Sequence, residues 1–157
     1  MKRFCLIVAA LIVAATTLTT NKAEAQNAHE WVAGPKVSIY ARWNAVAGVG
    51  AYARYGITNN LRVEPAFVVL CKKGYAVDLS ADLQYAIYLP SNFEVYPMVG
   101  MSYNHTSKSS LGVNLGAGTS YSISNRVSVN TSIKYMLQTA AYVRNPIIFS
   151  FGMGYRF

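Results

Sequence analysis

The parity of charged and apolar residues constrains this chain more than any other feature. From Glu30 onward, only Lys73 among the Lys, Arg, Asp and Glu residues has an odd number. Large apolar residues fill the odd positions instead, and the segment 147–157 shows the pattern up to its last residue. A strict period of two indicates β-strands with one apolar and one polar face.

Residues 1–25 are predicted to be a signal peptide. Lys2 and Arg3 form a basic n-region, residues 4–15 an apolar h-region, and residues 23–25 a small-x-small cleavage site. The apolar run is too short to cross a bilayer as a helix. Removing the leader lowers the formal charge from +8 to +6. In a secreted barrel, this excess of positive charge is either a modest surplus of Lys and Arg spread over lumen and loops, or it favours contact with anionic lipid headgroups and lipopolysaccharide. Nucleic acid is not expected as a partner.

Two kinds of connection alternate along the rest of the chain. Tight turns of Asn, Ser, Thr and Pro stand at 58–60, 90–92 and 124–126, and residues of these types suit such turns. Looser connections lie between them, centred on 44–48, 72–74, 104–110 and 140–145. This alternation is typical of outer-membrane barrels, with the tight turns in the periplasm.

The segments between these connections predict an all-β fold, an eight-stranded antiparallel up-and-down transmembrane β-barrel formed by residues 26–157, in the cell outer membrane. Residues 26–34 are expected to be a loosely ordered lead-in. Pro65 and Pro97, odd and in mid-strand, are expected to need bulges because proline removes a ladder donor. The strands are expected at 36–43, 49–57, 61–71, 75–89, 93–103, 111–123, 127–139 and 147–157.

The odd positions are expected to face lipid. A soluble lipocalin-like barrel also alternates, but charged residues are only 13% of this chain, against about 25% in ordinary soluble domains. The polar face of 111–123 is rich in small residues, which suits a crowded lumen. Aromatic residues near strand ends predict two interfacial girdles: Tyr55, Phe93, Tyr121, Tyr155 and Phe157 at the periplasmic side, and Trp43, Tyr75 and Tyr103 at the outer side.

Charged residues of both signs share the even, lumenal face. Buried ions are tolerable when they are paired and hydrogen-bonded, so Asp78 and Asp82 are expected to meet Arg42 or Lys134. An eight-stranded barrel has an interior just wide enough for side chains, which predicts at most a narrow channel. The predicted ion-pair network comprises Lys36, Arg42, Arg54, Arg62, Glu64, Asp78, Asp82, Glu94, Lys134 and Arg156.

No spacing typical of a catalytic, metal-binding or cofactor-binding site stands out. His29 lies in the lead-in and His105 in a loop, and Cys71, on the apolar face, is interpreted as a small hydrophobe. A lipid-modifying enzyme of the lipid A deacylase or palmitoyltransferase kind is one alternative. Its local candidates would be His105, Ser102 and Ser107, without an acidic partner. A small-solute porin and a soluble periplasmic ligand-binding barrel are further alternatives.

With its leader, in-phase strands and the ending Gly-Met-Gly-Tyr-Arg-Phe, the chain resembles the small outer-membrane β-barrel family, the OmpX-like and OmpA-like barrel domains often called the porin family. The resemblance covers about residues 35–157. It implies a non-enzymatic protein inserted by the barrel-assembly machinery, with Tyr155 and Phe157 as the assembly signal. Unlike full-length OmpA, the protein is expected to have no peptidoglycan-binding domain after the barrel, and its loops are expected to be shorter than those of the adhesive OmpX type, which argues against an adhesin or invasion role. Any protein or small-solute partner is expected at loops 104–110 and 140–146, because function tends to lie on loops.

Overall fold

The computed structural model describes residues 29–41, 45–71, 76–89, 92–105, 109–139 and 145–157. The predicted signal peptide, Trp43 and Tyr75 lie outside these described residues. Within them, no helix is long and apolar enough to cross a membrane. The strands are β1 Trp31–Ala41, β2 Val46–Gly56, β3 Leu61–Leu70, β4 Val77–Tyr85, β5 Ile87–Leu89, β6 Phe93–His105, β7 Ser109–Ser122, β8 Val127–Gln138 and β9 Ile147–Arg156.

These strands close into a barrel. Consecutive strands pair antiparallel, except that β4 and β5 both pair with β6, and β1 pairs with β9 to complete the circle. β4 and β5 pair with β6 in a single register, so they form one barrel strand interrupted at Ala86. The predicted eight-stranded antiparallel barrel is therefore confirmed.

One end of the barrel, here the turn end, carries the turns at 57–60 and 123–126 and both ends of the described chain. At the opposite end, the loop end, connections of four, six, three and eight residues join β1 to β2, β3 to β4, β6 to β7 and β8 to β9. The connections predicted as tight turns and those predicted as looser ones thus lie at opposite ends. The connection expected at 104–110 is only three residues long, however, and His105, expected in a loop, is the last residue of β6.

Residue parity separates the two surfaces of the barrel wall. Along β4, Asp78 and Asp82 are buried, whereas Leu79 and Leu83 are 52% and 41% exposed. Apolar side chains are exposed on the outside of every strand, those on β2 being alanines, whereas the buried charged side chains of the described residues face the interior. The apolar face is outside, which is the reverse of a soluble lipocalin-like barrel and suits a lipid environment.

The first strand begins earlier than the sequence predicts. Trp31 to Gly34, assigned above to a loosely ordered lead-in, pair with β2 from Tyr55 to Tyr52, and Pro35 pairs with Ala51. Val32 is buried in the interior and keeps the even parity. The Gly34-Pro35 step resembles a strand breaker, but pairing with β2 overrides that local signal.

The expected bulge at Pro65 is absent. Tyr52 pairs with Ala66 and Tyr55 with Val63, and both pairs follow the same register. The pairs of Glu64 and Pro65 with β2 are missing, while the pairing of both residues with β4 continues. A residue points its N–H and C=O toward one neighbouring strand, so a proline interrupts the ladder on one side without shifting it.

The expected bulge at Pro97 is absent for the same reason. The register between β6 and its neighbour is unchanged across the gap at Ala86. Pro35 likewise interrupts the β1–β9 ladder, and the register is the same on both sides of it. Pro35, Pro65 and Pro97 each occupy the fifth position of a strand that starts at the turn end, so they form a ring at one depth.

Candidate functional site in the barrel lumen

The turn-end half of the lumen holds a buried cluster of charged side chains, here called the ion cluster. Its central residue is Glu64, whose Oε1 lies 2.6 Å from the Lys36 Nζ. The Glu64 Oε2 accepts hydrogen bonds from the Arg54 Nε and Nη2 at 3.0 and 2.8 Å. All three residues are at most 3% exposed. The cluster comprises Lys36, Arg54, Arg62, Glu64, Gln84 and Glu94.

A second carboxylate extends the ion cluster toward the turn end. The Glu94 Oε1 lies 2.7 Å from the Arg62 Nη1 and 3.8 Å from the Arg54 Nη1. Gln84 connects the two halves: its Oε1 accepts from the Arg62 Nε at 2.8 Å, and its Nε2 donates to Glu64 at 2.9 Å. Arg54 therefore stands between the two carboxylates.

Two tyrosine rings alternate with the cations. The Tyr52 ring lies between Lys36 and Arg54, at 5.3 and 5.5 Å from the charged groups to the ring centre. The Tyr96 ring lies between Arg54 and Arg62, at 5.4 and 4.6 Å. Cation–π contacts of this kind gain strength when water is excluded. The five side chains form a continuous stack in the lumen.

Near the middle of the lumen, Asp82 organises a smaller polar cluster. Its Oδ2 lies 2.7 Å from the Lys134 Nζ, and its Oδ1 accepts a hydrogen bond from the Asn114 Nδ2 at 2.9 Å. Asn114 also donates to the Ser102 hydroxyl at 2.6 Å. These four residues are at most 5% exposed.

The loop-end half of the lumen contains a group of apolar side chains beside polar ones such as Asn104 and Ser110. Asp78 accepts a hydrogen bond from the Tyr40 hydroxyl at 2.7 Å, and no ion pair within 4.0 Å involves it among the described residues. Beside it lies a buried apolar cluster, here called the apolar cap. The apolar cap comprises Tyr40, Val68, Leu70, Ala76, Met136 and Ile148.

The structure thus divides the predicted network into separate groups. Arg156 lies apart at the turn end, where its Nε is 3.2 Å from the Glu30 Oε2. Arg42 lies outside the described residues. Glu30 and Gln84 were not singled out by the sequence; the even number of Gln84 and its register opposite Arg62 are the signals that identify it.

The residues named for a lipid-modifying enzyme are not assembled into a site. Ser102 is buried in the lumen beside Asn114, and Ser107 lies outside the described residues. His105 is exposed, and its Nδ1 lies 2.9 Å from the Ser109 hydroxyl. No carboxylate contacts this pair in the described part of the chain. There, too, no three His, Cys, Asp or Glu side chains are grouped as metal ligands.

A closed antiparallel barrel with an apolar exterior and a polar lumen defines a transmembrane β-barrel protein. This chain belongs to the outer membrane protein beta-barrel domain family, whose model matches residues 7–157. The resemblance inferred from the sequence is therefore confirmed. Family membership implies an outer-membrane location.

Solved structures share this fold at low sequence identity. The N-terminal β-barrel domain of Pseudomonas aeruginosa OprF is 14% identical with a TM-score of 0.71, covering 84% of this chain and 100% of that one. The outer membrane protein OprG from P. aeruginosa is 15% identical with a TM-score of 0.66, covering 87% and 99%. Ail, the attachment invasion locus protein of Yersinia pestis, is 14% identical with a TM-score of 0.56, covering 84% and 100%. No curated protein matches the chain.

Proposed function

We propose that this chain is a non-enzymatic integral outer-membrane protein with a structural or interaction role and at most a narrow channel. One observation carries the proposal: the lumen is filled along its length. The ion cluster occupies the turn-end half, the Asp82 cluster the middle, and the apolar cap the loop-end half. An eight-stranded barrel has no spare width beside such side chains.

The apolar cap makes a small-solute porin the weaker alternative. Met136 and Ile148 are at most 1% exposed inside the lumen, so they exclude water where a channel would need it. Ion pairs alone could rearrange to pass a solute, but an apolar constriction also opposes ion passage because it is dewetted. Both obstacles would have to open together.

Single-channel recording in planar bilayers tests this proposal. We expect the purified barrel to be electrically silent, and we expect Met136→Ala combined with Asp82→Ala to produce openings by removing the cap and one ion pair. Leu83→Ala, on the lipid-facing side of the same strand as Asp82, is the matched control and should stay silent. Steady openings of the unmodified barrel, altered by Asp82→Ala alone, would establish a small-solute porin instead.

The distribution of charge supports contact with outer-leaflet lipopolysaccharide. After residue 25 the acidic residues are Glu30, Glu64, Asp78, Asp82 and Glu94, and only Glu30 is not buried. By sequence, the connections at the loop end carry basic residues and no acidic ones, namely Arg42, Lys72, Lys73, Lys108 and Arg144. Clustered Lys and Arg attract phosphate groups.

Lipopolysaccharide binding can be measured by thermal stabilisation of the detergent-solubilised barrel. We expect Lys72→Gln with Lys73→Gln to reduce the stabilisation, whereas Arg156→Gln, which removes a cation at the turn end, should leave it unchanged. Equal loss in both variants would point to a general charge effect and would count against a loop-end site.

The rival reading, a lipid-modifying enzyme, rests on the contact between His105 and Ser109 at the loop end. A serine activated by histidine needs a third group that orients the base. Incubation of the reconstituted barrel with lipopolysaccharide, followed by mass spectrometry of lipid A, separates the two readings. Acyl chains lost in the wild type but kept in Ser109→Ala would overturn the non-enzymatic proposal.

We also infer how the protein reaches the membrane. Residues 1–25 would direct secretion across the inner membrane and be removed. The barrel-assembly machinery would then insert the chain by recognising Tyr155 and Phe157, whose exposed rings meet edge-to-face at 5.4 Å between centres.

A further inference from the structure

The outer surface of the barrel has a groove where β7, β8, β9 and β1 adjoin. The groove is a cavity of about 540 Å³. Its floor consists of small side chains on β7 and β8, and its walls consist of larger apolar ones on β8, β9 and β1. The outward-facing lining residues are Val37, Ile39, Ala117, Thr119, Thr131, Ile133, Phe149 and Phe151.

Strand register explains the groove. On one rung Thr131 pairs with Phe151 and with Thr119, so a large ring on β9 stands beside two small side chains. On the next rung toward the loop end, Phe149 pairs with Ile133, and Ile133 with Ala117. The surface therefore steps down from β9 toward β7.

The groove lies close to the middle of the membrane. Thr131 is five residues from the turn residue Arg126, a path of about 17 Å along the strand at 3.4 Å per residue. Because barrel strands tilt by roughly 40°, the height is about 13 Å, close to half of the roughly 30 Å hydrocarbon core. The groove is continuous with the surface that lipid chains cover.

An exposed cation stands below the groove at the turn end. The Arg126 Nη1 lies 3.4 Å from the Tyr155 hydroxyl, so the guanidinium leans over the outward face of β9. Tyr155 is on the same face of the same strand as Phe149 and Phe151. Arg126 is exposed and pairs with no described carboxylate. A guanidinium at the membrane interface suits a phosphate, which it can bind through two hydrogen bonds.

We propose that this face of the barrel binds one phospholipid of the periplasmic leaflet, with its phosphate on Arg126 and one acyl chain in the groove. The apolar lining matches a hydrocarbon chain, and the cation matches the headgroup. The height difference between Arg126 and the groove, about 13 Å, matches the hydrocarbon thickness of one leaflet. That leaflet is the periplasmic one, because the turn end of an outer-membrane barrel faces the periplasm. A second copy of the chain would fill the groove but would leave Arg126 without an anion.

Native mass spectrometry of the barrel, extracted in mild detergent from phosphatidylglycerol vesicles, tests the proposal. The unmodified barrel should retain one phosphatidylglycerol molecule. Thr131→Phe should reduce the retained fraction by blocking the groove. Arg126→Gln should reduce it about tenfold, because a hydrogen bond to a charged group is lost. Arg126→Lys should retain more lipid than Arg126→Gln.

The control is Ala81→Phe, which adds the same ring to the lipid-facing side of β4, away from the groove. It should retain lipid like the unmodified barrel. Equal retention by all variants would overturn the proposal. So would a cross-linked dimer that Thr131→Phe abolishes, since this would assign the groove to a second copy. The readout does not depend on whether the barrel conducts ions.

Discussion

Glu64 is the central carboxylate of the ion cluster and forms ion pairs with two cations. Lys36, Arg54 and Gln84 all donate to it, and it is 3% exposed. The desolvation of a buried carboxylate is offset only when its partners remain in place. The geometry of the ion cluster is therefore sensitive to this one side chain.

Replacing Glu64 with Gln should destabilise the barrel by about 3–5 kcal/mol, because Lys36 and Arg54 would remain as buried cations without their carboxylate. Urea unfolding in lipid vesicles, followed by tryptophan fluorescence, measures the change. Glu30→Gln is the control, since its ion pair with Arg156 is partly exposed and should contribute at most about 1 kcal/mol. Similar losses of unfolding free energy in the two variants would contradict the conclusion that burial makes the contacts of Glu64 more important than those of Glu30.

Gly118 makes room for the stacked Tyr96 ring. A Cβ at this position would lie 2.5 Å from ring atoms of Tyr96. Gly118→Val should therefore cost about 1–3 kcal/mol of unfolding free energy by overpacking. The neighbouring Ala117→Val, on the lipid-facing side, should change it by about 0.5 kcal/mol or less. The same urea titration distinguishes the two, and a tolerated Gly118→Val would show that the stack can shift.

At the scale of an element, substitutions on β8 test whether the apolar outer face of the barrel contacts lipid. Ile133 is 46% exposed near the middle of the strand, whereas Val127 is at its turn end. Ile133→Lys should cost about 2–4 kcal/mol and Val127→Lys about 0–1 kcal/mol, because the cost of a lipid-facing charge depends on depth. Equilibrium unfolding of the two variants gives both values. Equal costs would place the apolar face outside the hydrocarbon core.

The strands themselves were largely predictable from the sequence. Parity divides the side chains between two faces of the barrel wall, and the low content of charged residues indicates that the polar face is the inner one. The exceptions are Trp31 to Pro35, where pairing with β2 overrides a Gly-Pro step, and the two prolines, where a one-sided break replaces a bulge. Local sequence propensity cannot predict the early start of β1 or the one-sided breaks, since both depend on which neighbouring strand a backbone N–H or C=O group faces.

The pairing of charges inside the lumen was less predictable. Lys36 and Glu64 are 28 residues apart in sequence, and β2 lies between their strands. Which cation meets which carboxylate depends on strand tilt and shear, which are properties of the closed barrel. The sequence therefore predicts that Asp78 and Asp82 meet Arg42 or Lys134, and the closed barrel places the Lys134 Nζ 2.7 Å from the Asp82 Oδ2.

At the scale of the whole molecule, a substitution at Phe157 allows barrel stability and assisted membrane insertion to be measured separately. Phe157 is 78% exposed, and its backbone N–H donates to the Trp31 carbonyl at 3.0 Å. Phe157→Ala keeps that bond and should alter unfolding free energy by about 1 kcal/mol or less, the loss of one aromatic contact. Insertion into proteoliposomes containing the assembly machinery should slow, while spontaneous folding into detergent should not. An equal effect on both would argue against an assembly signal.

The ring of prolines has a consequence for the chain before it becomes a barrel. An unfolded chain of alternating apolar residues is a template for intermolecular cross-β stacking, and such stacking is resisted by proline. Pro35, Pro65 and Pro97 place one interruption in three of the four strands that begin at the turn end. Because the register is kept across each proline, the closed barrel loses only a few ladder pairings. The same residues would keep the secreted chain from aggregating on its way to the membrane.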